Sequence, residues 1–345
     1  MYEKLYDLNN LYGSYRKCRK GVSWKPSVQK YGINYLLNNN RTGNSLIKKT
    51  YRQKPFKKFD ISERGKLRHI RALHFSDRIV QRSLCDEISS ERINRHLVYD
   101  NGASMKKKGV DFSRRRIKVH LERYYRKHGR NGYVLQIDFS KYFDNIIHSA
   151  LENEFGKYID DADVMTLIGN LIASFGDGKS VGIGSQLSQV AGILYPNRID
   201  GFIKTIKRCR YYGRYMDDLY IIHDDREFLE RLLEEIRIIC RDYGIIPNEK
   251  KTHITRLCDG FTFLKMRYVI SESGKIAVIP KNDTFVAERR KLRKFRVKCD
   301  EGRMTLAAVK DQYYSWRGDK KKYKCRKRLM KMDELYKTLF WRKTA

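Results

Sequence analysis

Two adjacent carboxylates, Asp217 and Asp218, stand in the stretch RCRYYGRYMDDLYIIHD at positions 208–224. On either side lie arms rich in β-formers, 210–215 and 219–223, and the pattern predicts a hairpin whose tight turn carries Tyr215, Met216, Asp217 and Asp218. An acidic pair at such a tip, flanked by apolar and aromatic residues, repels itself unless a cation sits on it. Hard oxygen donors suit a divalent ion such as magnesium. Asp-Asp in a turn is by itself commonly no more than a solvated pair. A second acidic strand upstream sets this one apart: YVLQIDFSKYFD at 133–144 begins as a buried strand and places Asp138 at its end, followed by Phe139, Phe143 and Asp144. Carboxylates delivered side by side by two strands can hold two metal ions about 3.5–4 Å apart, as nucleotide polymerisation requires. One ion activates a primer 3′ hydroxyl; the other steadies the triphosphate and the departing pyrophosphate.

The tetrapeptide YMDD at 215–218, preceded by a strand ending in Asp138 and an aromatic, resembles the reverse transcriptase family. That resemblance implies an α+β, right-hand polymerase fold with fingers, a palm built on an antiparallel sheet and a helical thumb. It implies catalysis by Asp138, Asp217 and Asp218, with these three and Phe139 holding two Mg2+ ions, for which Mn2+ is a substitute. The substrates implied are an RNA template, a DNA or RNA primer and dNTPs. The template and primer end would meet Tyr215, Met216, Gly184, Ser188, Phe263 and Leu264.

The elements that must position these groups are readable along the chain. The 345 residues carry a formal net charge of +34, spread over the whole length, which favours a polyanionic partner. Nucleic acid is the first candidate and an anionic membrane the second. No apolar run approaches the roughly 20 residues of a membrane span, and the start MYEKLYDLNN lacks the apolar core of a signal peptide. A soluble, cytoplasmic protein with no membrane partner and no added nuclease domain is therefore expected. The seven cysteines contain no CxxC pair, so free and mostly buried thiols are expected.

Residues 28–40, VQKYGINYLLNNN, read as one amphipathic helix closing on asparagines. In FKKFDISERGKLRHIRALHFSDRIVQRSL (56–84), KFDIS and LRHIRAL read as strands around the turn ERGK, and a helix starts near Ser76 with Asp77 in its first turn. This part resembles the fingers of bacterial reverse transcriptases, so Lys66, Arg68 or Arg71, and Arg78 would meet the nucleotide phosphates; arginine suits bidentate phosphate contact. Residues 111–127 form a helix with a densely cationic outer face, read as facing nucleic acid.

In the same family an aromatic at the place of Phe143 stacks beneath the incoming sugar and would clash with a ribose 2′ hydroxyl, so the product would be DNA. Gly182 and Gly184 suit a loop whose backbone approaches a base pair, and a helix follows from about Gln186. Ser188-Gln189 resembles the SQ signature of diversity-generating retroelement enzymes, although Gly182 replaces the proline usual before the loop glycine. Residues 225–244 form an amphipathic helix. IIPNEKKTHI after it resembles the lysine loop, where Lys250 or Lys251 would meet the leaving pyrophosphate, and FTFLKMRYVI resembles the primer-grip hairpin. Beyond Lys281 a basic helical thumb is expected, with Tyr313, Tyr314, Trp316, Tyr336, Phe340 and Trp341 in its core and the run 320–328 as a solvated loop.

The expected division is 1–130 for an N-terminal extension and fingers, 131–280 for the palm and 281–345 for the thumb. The SQ pair points to error-prone copying in a diversity-generating retroelement, biased to template adenines. Alternative readings are an anti-phage defence or retron-like enzyme copying a dedicated structured non-coding RNA, and an RNA-binding scaffold without chemistry. A small basic accessory protein is a further expected partner.

Overall fold

The computed structural model describes residues 1–63, 66–176 and 178–341. The chain opens with α1 (Tyr2–Tyr6), α2 (Leu8–Arg19), α3 (Pro26–Ile33) and α4 (Tyr35–Ile47), then the hairpin β1 (Lys57–Glu63) and β2 (Lys66–Ala72). There follow α5 (Phe75–Ile88), α6 (Val110–His128), β3 (Tyr133–Asp138), α7 (Tyr142–Asn145), α8 (His148–Gly156), α9 (Ala162–Ala173), α10 (Gln186–Leu194) and α11 (Asn197–Gly201). Next come β4 (Tyr211–Tyr215), β5 (Asp218–His223), α12 (Arg226–Asp242), β6 (His253–Arg256), β7 (Phe261–Phe263), β8 (Met266–Ile270) and β9 (Ile276–Pro280). Three helices close the chain: α13 (Asn282–Asp300), α14 (Leu306–Lys321) and α15 (Arg326–Phe340). The fold is α+β, as expected. A four-stranded sheet has the order β4-β5-β3-β6, a three-stranded antiparallel sheet the order β7-β8-β9, and β1 pairs with β2.

Two compact units divide the chain, 1–113 with 136–221 and 227–253 in the first, and 114–135, 222–226 and 254–345 in the second. In the first unit α2, α3 and α5 pack through Leu11, Tyr15, Val28, Phe75 and Ile79. Helix α2 is capped by Asp7, α9 by Asp161 and α10 by Ser185, each side chain accepting from an amide of the first turn. Helix α12 buries Leu229, Leu232, Ile236 and Cys240, a stripe at helical spacing; each such side chain brings about 1.5–3 kcal/mol of transfer free energy.

The amphipathic stretch at 28–40 is two helices rather than one. Asn34, at φ −121° and ψ 41°, breaks the register between α3 and α4, and the asparagines lie inside α4, with Asn39 buried against the Tyr31 hydroxyl at 2.7 Å. In the second unit the core joins Phe285, Leu292, Phe295, Val309, Tyr313, Leu329, Met332, Tyr336 and Phe340, with Trp316 packed on it. Tyr314 and Trp341, expected in that core, are 48% and 67% exposed. Val309, Tyr313 and Trp316 already define the inward face of α14, so the next residue turns away from it, and Trp341 falls past the end of α15. The run 320–328 is mostly the end of α14 and the start of α15, with Lys320 buried and paired to Asp319 at 2.6 Å.

Candidate active site

Strand β3 earns its place through Val134, Leu135 and Ile137, all buried, and delivers Asp138 at its end, 8% exposed. Its neighbour β5 begins with Asp218, and the two-residue turn from β4 passes through Met216 at φ +56°. Gly213 makes the hairpin possible, since a Cβ there would lie 2.8 Å from the Tyr220 ring. The end of β3 is tied to the turn by the Phe139 amide donating to the Asp217 carbonyl at 3.2 Å.

The loop after α12 is lashed to the same place. The Ser140 amide donates to the Ile246 carbonyl and the Asn248 amide to the Asp138 carbonyl, both at 2.7 Å. A turn at Asn248, whose carbonyl accepts from the Lys251 and Thr252 amides at 2.9 Å, brings Lys251 round. Its ammonium donates to Asp138 Oδ2 at 2.6 Å, and Asn248 Nδ2 reaches Asp138 Oδ1 at 3.3 Å. The sequence leaves Lys250 and Lys251 open; both are exposed, and it is Lys251 that the turn brings onto Asp138.

The Asp138 carboxyl lies near enough to Asp218 to accept a hydrogen bond from it when Asp218 is protonated. Burial, then that hydrogen bond, then the charges of Asp217 and Asp138 push the Asp218 carboxyl up to about 8. Burial, with the Asp138 charge, also raises Asp217, against lowering from Lys251 and Arg68. Burial alone would lower the Lys251 ammonium, but Asp138, Asp218 and Asp217 outweigh it and raise it. The site therefore disfavours full ionisation of all three carboxyls until a cation joins them, and their oxygens are the donors magnesium prefers. Among the described residues no three His, Cys, Asp or Glu side chains are disposed as a finished metal cage. One oxygen of Asp138 is taken by Lys251, so the donor set fits the ion in chemistry and Lys251 is the group that must yield to it.

Behind the turn lies a buried pair that was not anticipated from the sequence. The side chains of Arg214 and Asp200 are both 0% exposed, joined through Nε–Oδ1 at 2.7 Å and Nη2–Oδ2 at 2.5 Å. Arg214 also donates to the Met216 carbonyl at 3.0 Å and the Ile193 carbonyl at 2.9 Å, so it holds the left-handed turn residue against α10. A cation in the middle of a buried strand, immediately before Tyr215, is the sequence signal that could have revealed it.

Of the remaining expected residues, Arg68 is exposed on β2 and its charge is felt at Asp217. Arg71 is committed elsewhere, its guanidinium donating to the Phe175 carbonyl. The Lys66 side chain and residues 64–65 of the turn lie outside the described residues. Gly182 and Gly184, at φ +60° and +123°, are explained by packing against β2: added Cβ atoms would lie 3.1 Å from Arg71 Cδ and 3.2 Å from the Arg71 carbonyl oxygen. Ser188 is buried, its hydroxyl spent on Ser185 and the Val181 carbonyl, while Gln189 is exposed and accepts from Ser104 at 2.8 Å. Arg78, Gly184 and Gln189 border a cleft of about 870 Å³, with Lys17, Lys20 and Lys106 also on its wall. Phe143, half-buried on α7, meets Tyr142 edge-on at 5.3 Å. Phe263 and Leu264 belong to the second unit, Phe263 buried and Leu264 at φ +46° in the β7–β8 turn.

The family model described as reverse transcriptase (RNA-dependent DNA polymerase) matches residues 48–268, more than half of the chain. No curated protein matches. Among solved structures, an apo telomerase from Candida tropicalis truncated from its C-terminal domain is similar at 14% identity and TM-score 0.48, over 68% of this chain and 58% of that one. A telomerase from Candida albicans in complex with a TWJ fragment of telomeric RNA has 11% identity and TM-score 0.47, over 76% and 55%. The apo telomerase from Candida tropicalis has 12% identity and TM-score 0.46, over 66% and 49%. The chain thus spans about half the length of the solved structures it matches.

Proposed function

The chain belongs to the reverse transcriptase (RNA-dependent DNA polymerase) family, and from that premise we propose that it copies an RNA template into DNA at the cluster of Asp138, Asp217 and Asp218. The observation that carries this reading is the placement of Asp138 at the end of β3 and of Asp218 at the start of the neighbouring strand β5, with the Phe139 amide bonded to the Asp217 carbonyl between them. These three carboxylates and the Phe139 carbonyl would hold magnesium, which when bound would supply Lewis-acid activation of the primer 3′ hydroxyl and charge stabilisation of the leaving pyrophosphate. Lys251, once off Asp138, stands ready to offset the charge of that leaving group. Arg68 offers an exposed guanidinium to the triphosphate, and the Phe143 ring lies beneath the sugar. The cationic cleft beside Gln189 takes the template RNA through its phosphates. In this reading residues 1–130 supply an N-terminal extension and fingers, 131–280 the palm and 281–345 the thumb.

Primer extension on an RNA template with deoxynucleotides tests the proposal. Extension that requires Mg2+ or Mn2+ supports it; none with either ion overturns it. The pair Ser188-Gln189 further supports an error-prone enzyme of a diversity-generating retroelement, with the buried serine anchoring the loop and the glutamine reaching the template cleft. Misincorporation concentrated at template adenines is the expected signature, and equal error rates at all four template bases overturn that subtype.

A further inference from the structure

Gly192 sits inside α10, where alanine would be the better helix former. Its presence therefore asks for a reason beyond the helix. A Cβ built there would lie 3.0 Å from Phe143 Cε1, 3.2 Å from Phe143 Cζ and 3.4 Å from Met216 Sδ. The missing methyl is the contact surface for two residues at once, the ring of α7 and the thioether at the hairpin tip. The neighbouring backbone fixes the same place: the Gly192 carbonyl accepts from the Tyr142 hydroxyl at 2.9 Å, and the Ile193 carbonyl accepts from Arg214 at 2.9 Å. One turn of α10 thus bears on the ring from one side and on the catalytic hairpin from the other. Phe143 is only half-buried, so a push from α10 drives its ring outward.

We propose that Gly192 is a specificity-determining residue: by having no side chain it sets the depth of the Phe143 ring and the Met216 thioether, and so the room left for the substrate sugar. This rests on the reading of Phe143 as the platform beneath the sugar. A methyl at 192 moves the ring by tenths of an ångström toward the sugar. The loss falls on nucleotide binding, and more heavily on a ribonucleotide with its extra hydroxyl.

Single-nucleotide incorporation on an RNA template, with a matched deoxynucleotide and ribonucleotide, tests this alongside thermal melting. Gly192→Ala is expected to melt at or above the parent temperature while KM for the deoxynucleotide rises about fivefold, kcat stays within about twofold and ribonucleotide use falls further. Trimming the ring in the same chain, Gly192→Ala with Phe143→Leu, should return KM to that of Phe143→Leu alone. Phe143→Ala tests the platform separately and should raise ribonucleotide use relative to deoxynucleotide by about tenfold or more. If Phe143→Ala relaxes discrimination while Gly192→Ala keeps the parent KM for both substrates, the Gly192 inference is overturned and the platform stands. If Phe143→Ala leaves discrimination unchanged, the platform reading fails and the inference with it. A Gly192→Ala protein that loses kcat and melts early, unrelieved by the smaller ring, also overturns it, because the glycine is then only structural.

Discussion

The Lys251 ammonium lies 2.6 Å from Asp138 Oδ2, on one of the oxygens that a metal ion would need. A lysine there neutralises the cluster in the ion-free protein and competes with the ion that replaces it. Lys251→Met should lower the melting temperature of the metal-free protein by roughly 1–2 °C, the shift that about 1 kcal/mol produces at this size. The same variant should gain more from added Mg2+ than the parent does and bind Mn2+ more tightly by calorimetry. Equal Mn2+ affinity in both proteins would sink the idea of competition.

In the proposed site metal ligation and phosphate grip would rest on different residues, so they should separate by mutation. Asp138→Asn, or Asp217→Asn with Asp218→Asn, should abolish nucleotide addition. RNA affinity should stay within about twofold, because binding comes from the spread of cations rather than from the acidic cluster. Asparagine resembles the protonated carboxyl toward which burial already pushes Asp218, so the Asp217→Asn, Asp218→Asn variant should fold at least as well as the parent, whereas Asp138→Asn gives up the charge of its pair with Lys251. Full extension by either variant ends the assignment of the catalytic cluster.

Arg214 and Asp200 form a closed ionic pair that also holds the Met216 carbonyl. Arg214→Met alone strands a buried carboxylate and should cost about 3–5 kcal/mol. Asp200 also accepts from the Tyr212 hydroxyl; adding Asp200→Asn removes the stranded charge and keeps that acceptor, so most of that stability should return. Activity should not return with it: the turn at Met216 has still lost its donor, and kcat should remain down by about tenfold to a hundredfold. Unfolding curves and single-turnover rates on the two variants check both halves. Recovery of rate together with stability would mean that Arg214 does no positioning.

The strands that carry Asp138, Asp217 and Asp218 were legible because their signals are local. Asp138 ends an apolar run, and Asp217 and Asp218 interrupt β-formers at a turn. Helix α12 was legible from its apolar stripe. The partners of these residues were not, since pairings such as Arg214 with Asp200 or Lys251 with Asp138 join positions far apart in the chain. Gly182 and Gly184 announced a close approach of backbone, but not that the neighbour would be β2. Arg68 and Arg71 looked equivalent on one strand; only the fold commits Arg71 to the Phe175 carbonyl. Asn34 breaks a helix whose apolar spacing runs on through it, because periodicity records which face is buried and not where the backbone turns.

The second unit carries its own acid-sensitive fastening. Asp333 on α15 accepts from Arg317 at 2.6 and 2.8 Å and from the Tyr313 hydroxyl at 2.7 Å, tying α15 to α14. Its hydrogen bond with Arg317, helped by Tyr313 and opposed by burial, holds the carboxyl below its usual range. The folded value is thus below the unfolded value of about 3.9. Stability from this group is fully present above the unfolded value and is lost as pH falls through the folded one. Asp333→Asn should therefore melt a few degrees lower at pH 7. As pH drops from about 5 toward 3, its melting temperature should fall less steeply than that of the parent, so the two curves converge in acid. Curves that stay parallel over that range would mean the carboxylate contributes nothing through its charge, and that the apolar core around Tyr313 and Tyr336 joins the two helices without it.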